Sequence, residues 1–345
     1  MSETFREAVD VERLTSWLRA NVDGVPDRSV EVELISGGRS NLTFGVTWGG
    51  GRYVLRRPPM GQLLPTAHDM QREFTVLSAL QGTSVPVPGV MALCTDVGVI
   101  GAPFYVMERV DGVVLRTPED CQRLDAIQAR SLSLDLARVL AEIHSVPLES
   151  SGLSEFGHPD GFLERQIARW TAQWEKSKTR DIPGLDEMAR VLRDHVPTTQ
   201  HPALVHGDYR LDNLMLSEDT LEPIAVLDWE MSTLGDPLTD LGLLMVYWTD
   251  ADDAFRPPSF ARQIVAGAGF LSRSELADAY SRASGRDVSD LAFYVVLGYF
   301  KIAIILEGIH KRHSLGNTYG EGFEGLGDDV PLLVEAGLAS AKDAL

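Results

Sequence analysis

The stretch that most constrains this chain lies at residues 204 to 240, LVHGDYRLDNLMLSEDTLEPIAVLDWEMSTLGDPLTD. Two short apolar runs, Ala203–Val205 and Ile224–Leu227, read as strands, and each leads into a carboxylate, Asp208 and Asp228. Asn213 follows Asp208 by five positions. Acid, amide and second acid in that order are what phosphoryl transfer from a magnesium nucleotide requires. One carboxylate orients and deprotonates an acceptor hydroxyl, while an amide oxygen and the other carboxylate hold the metal ions.

The spacing matches H-R-D-x-x-x-x-N, with Gly207 replacing the arginine, and Asp228–Glu230 stands where such chains carry D-F-G. The sequence resembles the aminoglycoside phosphotransferase and choline kinase family, which carries HGDxxxxN and a later D-[FW]-E. The likeness runs through SGGRSN, YVLRRPP, FYVMERVDG, RQIARW, LVHGDYRLDNL and LDWEMSTLGDPLTDL. It is strongest to the kinase-like domain fused to acyl-CoA dehydrogenases in some proteins, although no stretch here reads as a dehydrogenase domain.

The resemblance implies an α+β, protein-kinase-like fold of two lobes. Residues 1–110 would form a small lobe, an antiparallel sheet with one helix, that binds the nucleotide. Residues 111–345 would form a larger, mainly helical lobe with the catalytic loop, metal site and acceptor pocket. ATP and Mg2+ are the implied cofactors, Asp208 the catalytic base, and Asn213 and Asp228 the metal ligands. His206 would support the turn that Gly207 permits, and Asp240 resembles the buried acid that hydrogen-bonds this loop. Glu230 either contacts metal through water or braces the loop.

Ahead of that stretch, Val11, Leu14, Trp17 and Leu18 predict an amphipathic helix within residues 1–26, ending near Gly24 and Pro26. Val30–Ile35 reads as a strand, and Leu42–Trp48 with Arg52–Arg57 as a hairpin closed by Gly49-Gly50-Gly51. The intervening Gly37–Asn41 turn offers backbone N–H groups to phosphates, making Ser40 and Asn41 candidates; it is not GxGxxG, so an ordinary turn is the alternative. Period-two alternation puts Val54 and Arg56 on one face of the third strand. Only five of the 31 basic residues are lysine, the first being Lys176. The phosphate-binding cation of this lobe therefore cannot be lysine, and Arg56 is the candidate, with its bidentate fork; the alternative is a surface arginine beside Arg57. Thr66–Leu80 reads as a helix burying Phe74, Leu77 and Leu80. Its Glu73 would pair with Arg56 or else be a solvated carboxylate. Strands near Val90–Cys94 and Phe104–Val110 follow, and by order alone Met107, Glu108 and Val110 would line the adenine site.

The larger lobe is less informative. Leu134, Leu136, Ala137, Leu140 and Ile143 predict a helix over Ser131–His144, with His144 structural. On a helix within Gly161–Thr179, Arg165 and Arg169 form a basic edge suited to an anionic substrate; the competing reading pairs these arginines with nearby acids and puts Trp170 and Trp174 in the core. Asp250, Asp252 and Asp253 would hold a cationic acceptor or form a solvated loop. The apolar run Phe293–Leu306 spans fourteen residues around Lys301, short of the roughly twenty a membrane span needs, so a buried helix is expected. A last helix is expected near Pro331–Ala344.

A formal net charge of -19 argues against a nucleic-acid partner, because no basic surplus exists to displace counterions. Cys94 and Cys121 are too few for a disulfide framework, and Met1–Asp10 has no apolar signal segment, so a reducing cytoplasm is expected. No membrane partner is expected either, and the oligomeric state is not readable. The expected activity is a kinase acting on a small-molecule hydroxyl. A non-catalytic nucleotide-binding regulatory module remains the alternative: the missing lysine favours it, and the joint presence of Asp208, Asn213 and Asp228 opposes it. Aminoglycosides, amino alcohols, hydroxy acids and hydroxyacyl-CoA esters stay open as acceptors, as does GTP as donor.

Overall fold

The computed structural model describes residues 8–37, 41–60, 69–250, 264–265, 269–316 and 325–344. The chain divides into two compact units. The first is Met1–Gly112 together with Ile224–Ser232, and the second is Val113–Pro223 together with Thr233–Leu345. The Asp228 segment thus belongs to the first unit, although the chain reaches it from the second.

In the first unit, β1 (Glu31–Gly37), β2 (Leu42–Trp48), β3 (Gly51–Arg57), β4 (Val90–Cys94) and β5 (Phe104–Glu108) form an antiparallel sheet in the order β1-β2-β3-β5-β4. Gly49 and Gly50 take positive φ at the β2–β3 turn, which a glycine run allows without a Cβ clash. Alternation along the strands gives the sheet two different faces. One buries Phe44, Val46, Leu55, Phe104 and Val106 against Leu14 and Leu18 of α1 (Val11–Asn21). Each such side chain contributes about 1.5–3 kcal/mol on burial. The other face carries Val54 opposite Met107, and Arg56 opposite Tyr105. Beside it lies α2 (Met70–Leu80), which starts on Asp69, whose carboxylate caps the Arg72 N–H. The buried side of α2 is Met70, Glu73, Val76, Leu77 and Leu80, whereas Phe74, expected in the core, is only half-buried.

The second unit is mainly helical: Ala126–Ile143, Phe162–Ser177, Leu185–Asp194, Leu238–Tyr247, Arg273–Ser284, Leu291–Ser314 and Asp329–Ala344. The Ala126–Ile143 helix begins in a capping box, Asp125 with Gln128. Leu134 is 43% exposed on it, because it lies two residues, or about 200° around the helix, from buried Leu132 and Leu136. Leu291–Ser314 is the organising element, packed by Leu238–Tyr247, Phe162–Ser177 and Asp329–Ala344. Gly242 permits a close crossing: a Cβ there would stand 2.4 Å from the Tyr294 backbone. The helix has 24 residues, not the fourteen of its apolar run, and basic Lys311, Arg312 and His313 fill its last turn where they complement the helix dipole. Among the described residues it is the one helix long and apolar enough to cross a membrane, yet most of that stretch is buried inside the unit. Trp170 and Trp174 are also core.

Candidate active site

In the first unit, Arg56 is the centre of a buried polar cluster. Its Nη1 lies 3.4 Å from Glu73 Oε2 and its Nη2 3.1 Å from Asp228 Oδ1. Glu73 is 1% exposed and is fully engaged: Oε1 accepts from Asn41 Nδ2 at 2.9 Å and Oε2 from the Tyr105 hydroxyl at 2.9 Å. Asn41 Nδ2 also donates to Glu230 Oε2 at 3.2 Å, so Glu230 braces this cluster. Burial opposes the charge on Arg56, but Tyr105, Glu73 and Asp228 outweigh it and hold its pKa above the ordinary guanidinium value. Burial pushes the Glu73 carboxyl upward, with Arg56 acting against it. A narrow recess of about 10 Å³ is lined by Arg56, Leu77, Tyr105, Met107 and Asp228.

The Asp228 segment is held by its own bonds within the unit. Val226 N–H donates to Pro86 O at 2.8 Å, Trp229 Nε1 to Val226 O at 3.0 Å, and Arg72 Nη2 to Ser232 O at 3.1 Å. Asp228 itself takes left-handed backbone angles, φ 66 and ψ 60, a conformation that aspartate tolerates better than most residues.

In the second unit, strand Ala203–Val205 pairs antiparallel with Thr233–Gly235 and launches the loop that carries Asp208. Asp240, 1% exposed, accepts from the N–H groups of His206 and Gly207, each at 2.7 Å, and from His144 Nε2 at 3.2 Å. Burial alone would raise the Asp240 pKa, but the hydrogen bond from His144 and the backbone N–H bonds hold it below the ordinary value. His144 Nδ1 meets the Tyr280 hydroxyl at 2.8 Å, so both imidazole nitrogens are occupied and the residue is structural. His206 is buried, and its Nδ1 accepts the Asp208 N–H at 3.2 Å. Asn213 Nδ2 donates to Asp208 O at 2.8 Å and to Asp208 Oδ2 at 3.2 Å, and the Tyr247 hydroxyl donates to Asp208 Oδ1 at 3.3 Å. Arg210 pairs with Asp212 at 2.6 Å and lies over the Tyr247 ring.

Several expected residues thus fall together within a unit: Asn41, Val54, Arg56, Glu73, Met107 and Asp228 in the first, Asp208 and Asn213 in the second. Ser40 lies outside the described residues, as do Asp252 and Asp253. Glu108 is exposed and its N–H is committed to Gly89 O at 2.7 Å, so that group is not available to an adenine edge; Val110 is half-buried beyond the strand. The basic edge is altered. Arg165 donates to the carbonyls of His158 and Asp160 instead of pairing with acids, and Arg169 lies over the Trp170 ring. Asp250 accepts the Arg273 N–H at 3.1 Å, beside the Ser272 N-cap of the helix Arg273–Ser284. Sequence reasoning missed Tyr105, Tyr247 and Lys301. Tyr105 had a signal in its period-two spacing from Met107 and Lys301 in being a lone cation within an apolar run, whereas Tyr247 had none.

The donor sets suit a nucleotide and a hard cation. Arg56 Nε is a buried donor with no hydrogen-bond partner among the described residues, as a phosphate oxygen would require. The Nδ2 end of Asn213 is occupied by Asp208, which leaves its amide oxygen as the end to meet a metal. No group of three or more His, Cys, Asp or Glu among the described residues forms a metal cage. Magnesium does not need one, because it is held by one or two protein oxygens together with water and phosphate.

The model of the APH phosphotransferase enzyme family matches residues 31–285. The chain belongs to that family. A relative from Gallus gallus, acyl-CoA dehydrogenase family member 11, is 36% identical over 331 residues, covering 92% of this chain and 41% of the relative. The chain thus spans about two-fifths of that relative's length. A crystal structure of a candidate aminoglycoside phosphotransferase from Ralstonia eutropha JMP134 shares 36% identity at a TM-score of 0.85, covering 97% of this chain and 99% of that one. The ternary complex of a thermostable mutant of aminoglycoside phosphotransferase APH(4)-Ia with ADP and hygromycin B superposes at a TM-score of 0.61 with 16% identity, covering 90% and 95%. That likeness is one of fold, the protein-kinase-like α+β fold.

Proposed function

We propose that this APH-family chain is an ATP- and magnesium-dependent kinase that phosphorylates a hydroxyl group of a small molecule. The observation that carries the reading is the Asp208 carboxylate, which is held by Asn213 at one oxygen and Tyr247 at the other. A carboxylate fixed in this way is pre-aligned to accept the proton of an incoming hydroxyl, and alignment is the main contribution a base makes to a loose phosphoryl-transfer transition state. Arg56, supported by Glu73, would contact the nucleotide phosphates, while Asn213 and Asp228 would hold magnesium. When bound, Mg·ATP supplies the phosphoryl donor and neutralises the charge that develops on it. Asp208 would accept the proton of the acceptor hydroxyl, freeing that oxygen to take the phosphoryl group.

The pairing of Arg56 with Glu73 and Asp228 supplies the cation that the missing lysine would have given, which weighs against a purely regulatory module. For the acceptor we favour a hydroxy acid or hydroxyacyl-CoA. Supporting this is the likeness to acyl-CoA dehydrogenase family members. The test is ADP release with Mg·ATP across aminoglycosides, amino alcohols, hydroxy acids and hydroxyacyl-CoA esters. Asp208→Asn should lower acceptor-dependent turnover by about 100- to 10,000-fold and leave Mg·ATP binding nearly intact. Turnover retained in that variant would remove Asp208 from the mechanism.

A further inference from the structure

Lys301 interrupts the most apolar run of the chain, FYVVLGYFKIAIIL, and the proposed chemistry does not use it. It sits within the buried helix Leu291–Ser314, where residues one turn away on either side, Leu297 and Ile304, are core. An ammonium in such a place is unfavourable unless a specific partner compensates it. Packing alone would be served better by an apolar side chain of similar length. The hydrogen-bond partner of Lys301 Nζ among the described residues is a backbone oxygen, Gly207 O at 2.7 Å, and the ammonium also lies 5.9 Å from the Trp170 ring centroid.

That oxygen belongs to the peptide unit joining Gly207 to Asp208. The N–H of the same unit donates to His206 Nδ1 at 3.2 Å. Both ends of one peptide plane are therefore held, one by a cation from a distant helix and the other by the loop's own histidine. The preceding peptide is held as well, through Gly207 N–H to Asp240 Oδ1 at 2.7 Å. Gly207 lies at φ 86, a region glycine enters freely, so this backbone has no intrinsic preference to stay where it is. Rotation of the Gly207–Asp208 plane would swing the Asp208 Cα–Cβ bond and carry the carboxylate with it. Burial lowers the Lys301 pKa, and the charges of Asp208 and Asp240 resist that shift.

We infer that Lys301 is a positioning residue for phosphoryl transfer, fixing the Gly207–Asp208 peptide plane and through it the aim of the Asp208 carboxylate. The inference rests on the kinase reading of Asp208 for its catalytic consequence, but the structural part stands separately. Lys301→Met keeps the length of the stem and removes the ammonium; Lys301→Arg keeps a cation that can reach a carbonyl. Each is compared with the wild type in the full chain, by steady-state ADP release, amide hydrogen exchange of residues 204–213, and thermal unfolding. For Lys301→Met the expected result is a kcat about 10- to 100-fold lower, the scale at which a small misplacement of a reacting group is felt. KM for ATP should be unchanged, exchange should be faster in the loop alone, and Tm should equal or exceed the wild-type value. Lys301→Arg should recover part of kcat. A folded Lys301→Met protein with wild-type kcat and wild-type loop exchange overturns the inference. If the wild type itself turns over no acceptor, the kinase reading fails, and loop exchange alone then decides whether Lys301 holds the peptide.

Discussion

Arg56→Lys restores the residue type that kinase strands carry at this register, and in this chain it should weaken the site. The guanidinium reaches two acids through two separate nitrogens, Glu73 at 3.4 Å and Asp228 at 3.1 Å. Lysine offers one ammonium on a shorter stem and cannot present two nitrogens to two carboxylates in a fixed fork. Losing one charge-assisted hydrogen bond costs about 1.5–3 kcal/mol, which is about 10- to 100-fold in an equilibrium constant. Screening takes little from this, since the Arg56 side chain is 13% exposed and that of Glu73 only 1%. Mg·ATP affinity of Arg56→Lys, measured by calorimetry at fixed ionic strength, should therefore fall by about 10-fold or more. Arg56→Met is the harsher control. It leaves Glu73 buried without its cation, a loss of about 3–5 kcal/mol, softened because burial already pushes the Glu73 carboxyl toward its neutral form. The order of Tm should be wild type, then Arg56→Lys, then Arg56→Met. Wild-type affinity and Tm in Arg56→Lys would refute the argument, because any cation on this strand would then serve.

Two further outcomes follow from the second unit. Gly207→Ala places a Cβ on a backbone at φ 86, which costs about 1–2 kcal/mol; it should lower both Tm in thermal unfolding and kcat in the ADP-release assay. Burial holds the His144 pKa below its ordinary 6.5, against the pull of Asp240. The unfolded chain therefore binds more protons than the folded one as pH falls below 6.5, and stability declines from that point down to the folded-state pKa. Denaturant midpoints should fall through this window in the wild type, and His144→Gln should show a flatter dependence there, measured from its own, lower starting stability.

What the sequence revealed and what it concealed follow from one distinction. Period and order are local properties: alternation along β3 put Val54 and Arg56 on one face, order along the chain pointed to Met107, and the spacing of Asp208, Asn213 and Asp228 pointed to phosphoryl transfer. Partner choice is not local. The hydroxyl that holds Glu73 lies 32 residues away, the one that holds Asp208 lies 39 away, and the ammonium behind Asp208 lies 94 from Gly207. The failures show the same physics. Arg165 has acidic neighbours in the sequence, yet its guanidinium takes the His158 and Asp160 carbonyls, because backbone oxygens at a loop-to-helix junction compete with carboxylates for the same donors. Asp250 reads as part of an acidic loop, but it accepts the Arg273 N–H, one of the first-turn donors a helix leaves without an internal partner. Lys301 looks like a flaw in an apolar helix because pattern alone ranks a residue by the face it occupies. A long side chain can leave that face, however, and what it meets at its far end is decided by the packing of the helix against a loop far back in the chain. An isolated cation in an otherwise apolar run is therefore better read as a pointer to a backbone carbonyl or a carboxylate that must be held still, and here the carbonyl is the one that precedes Asp208.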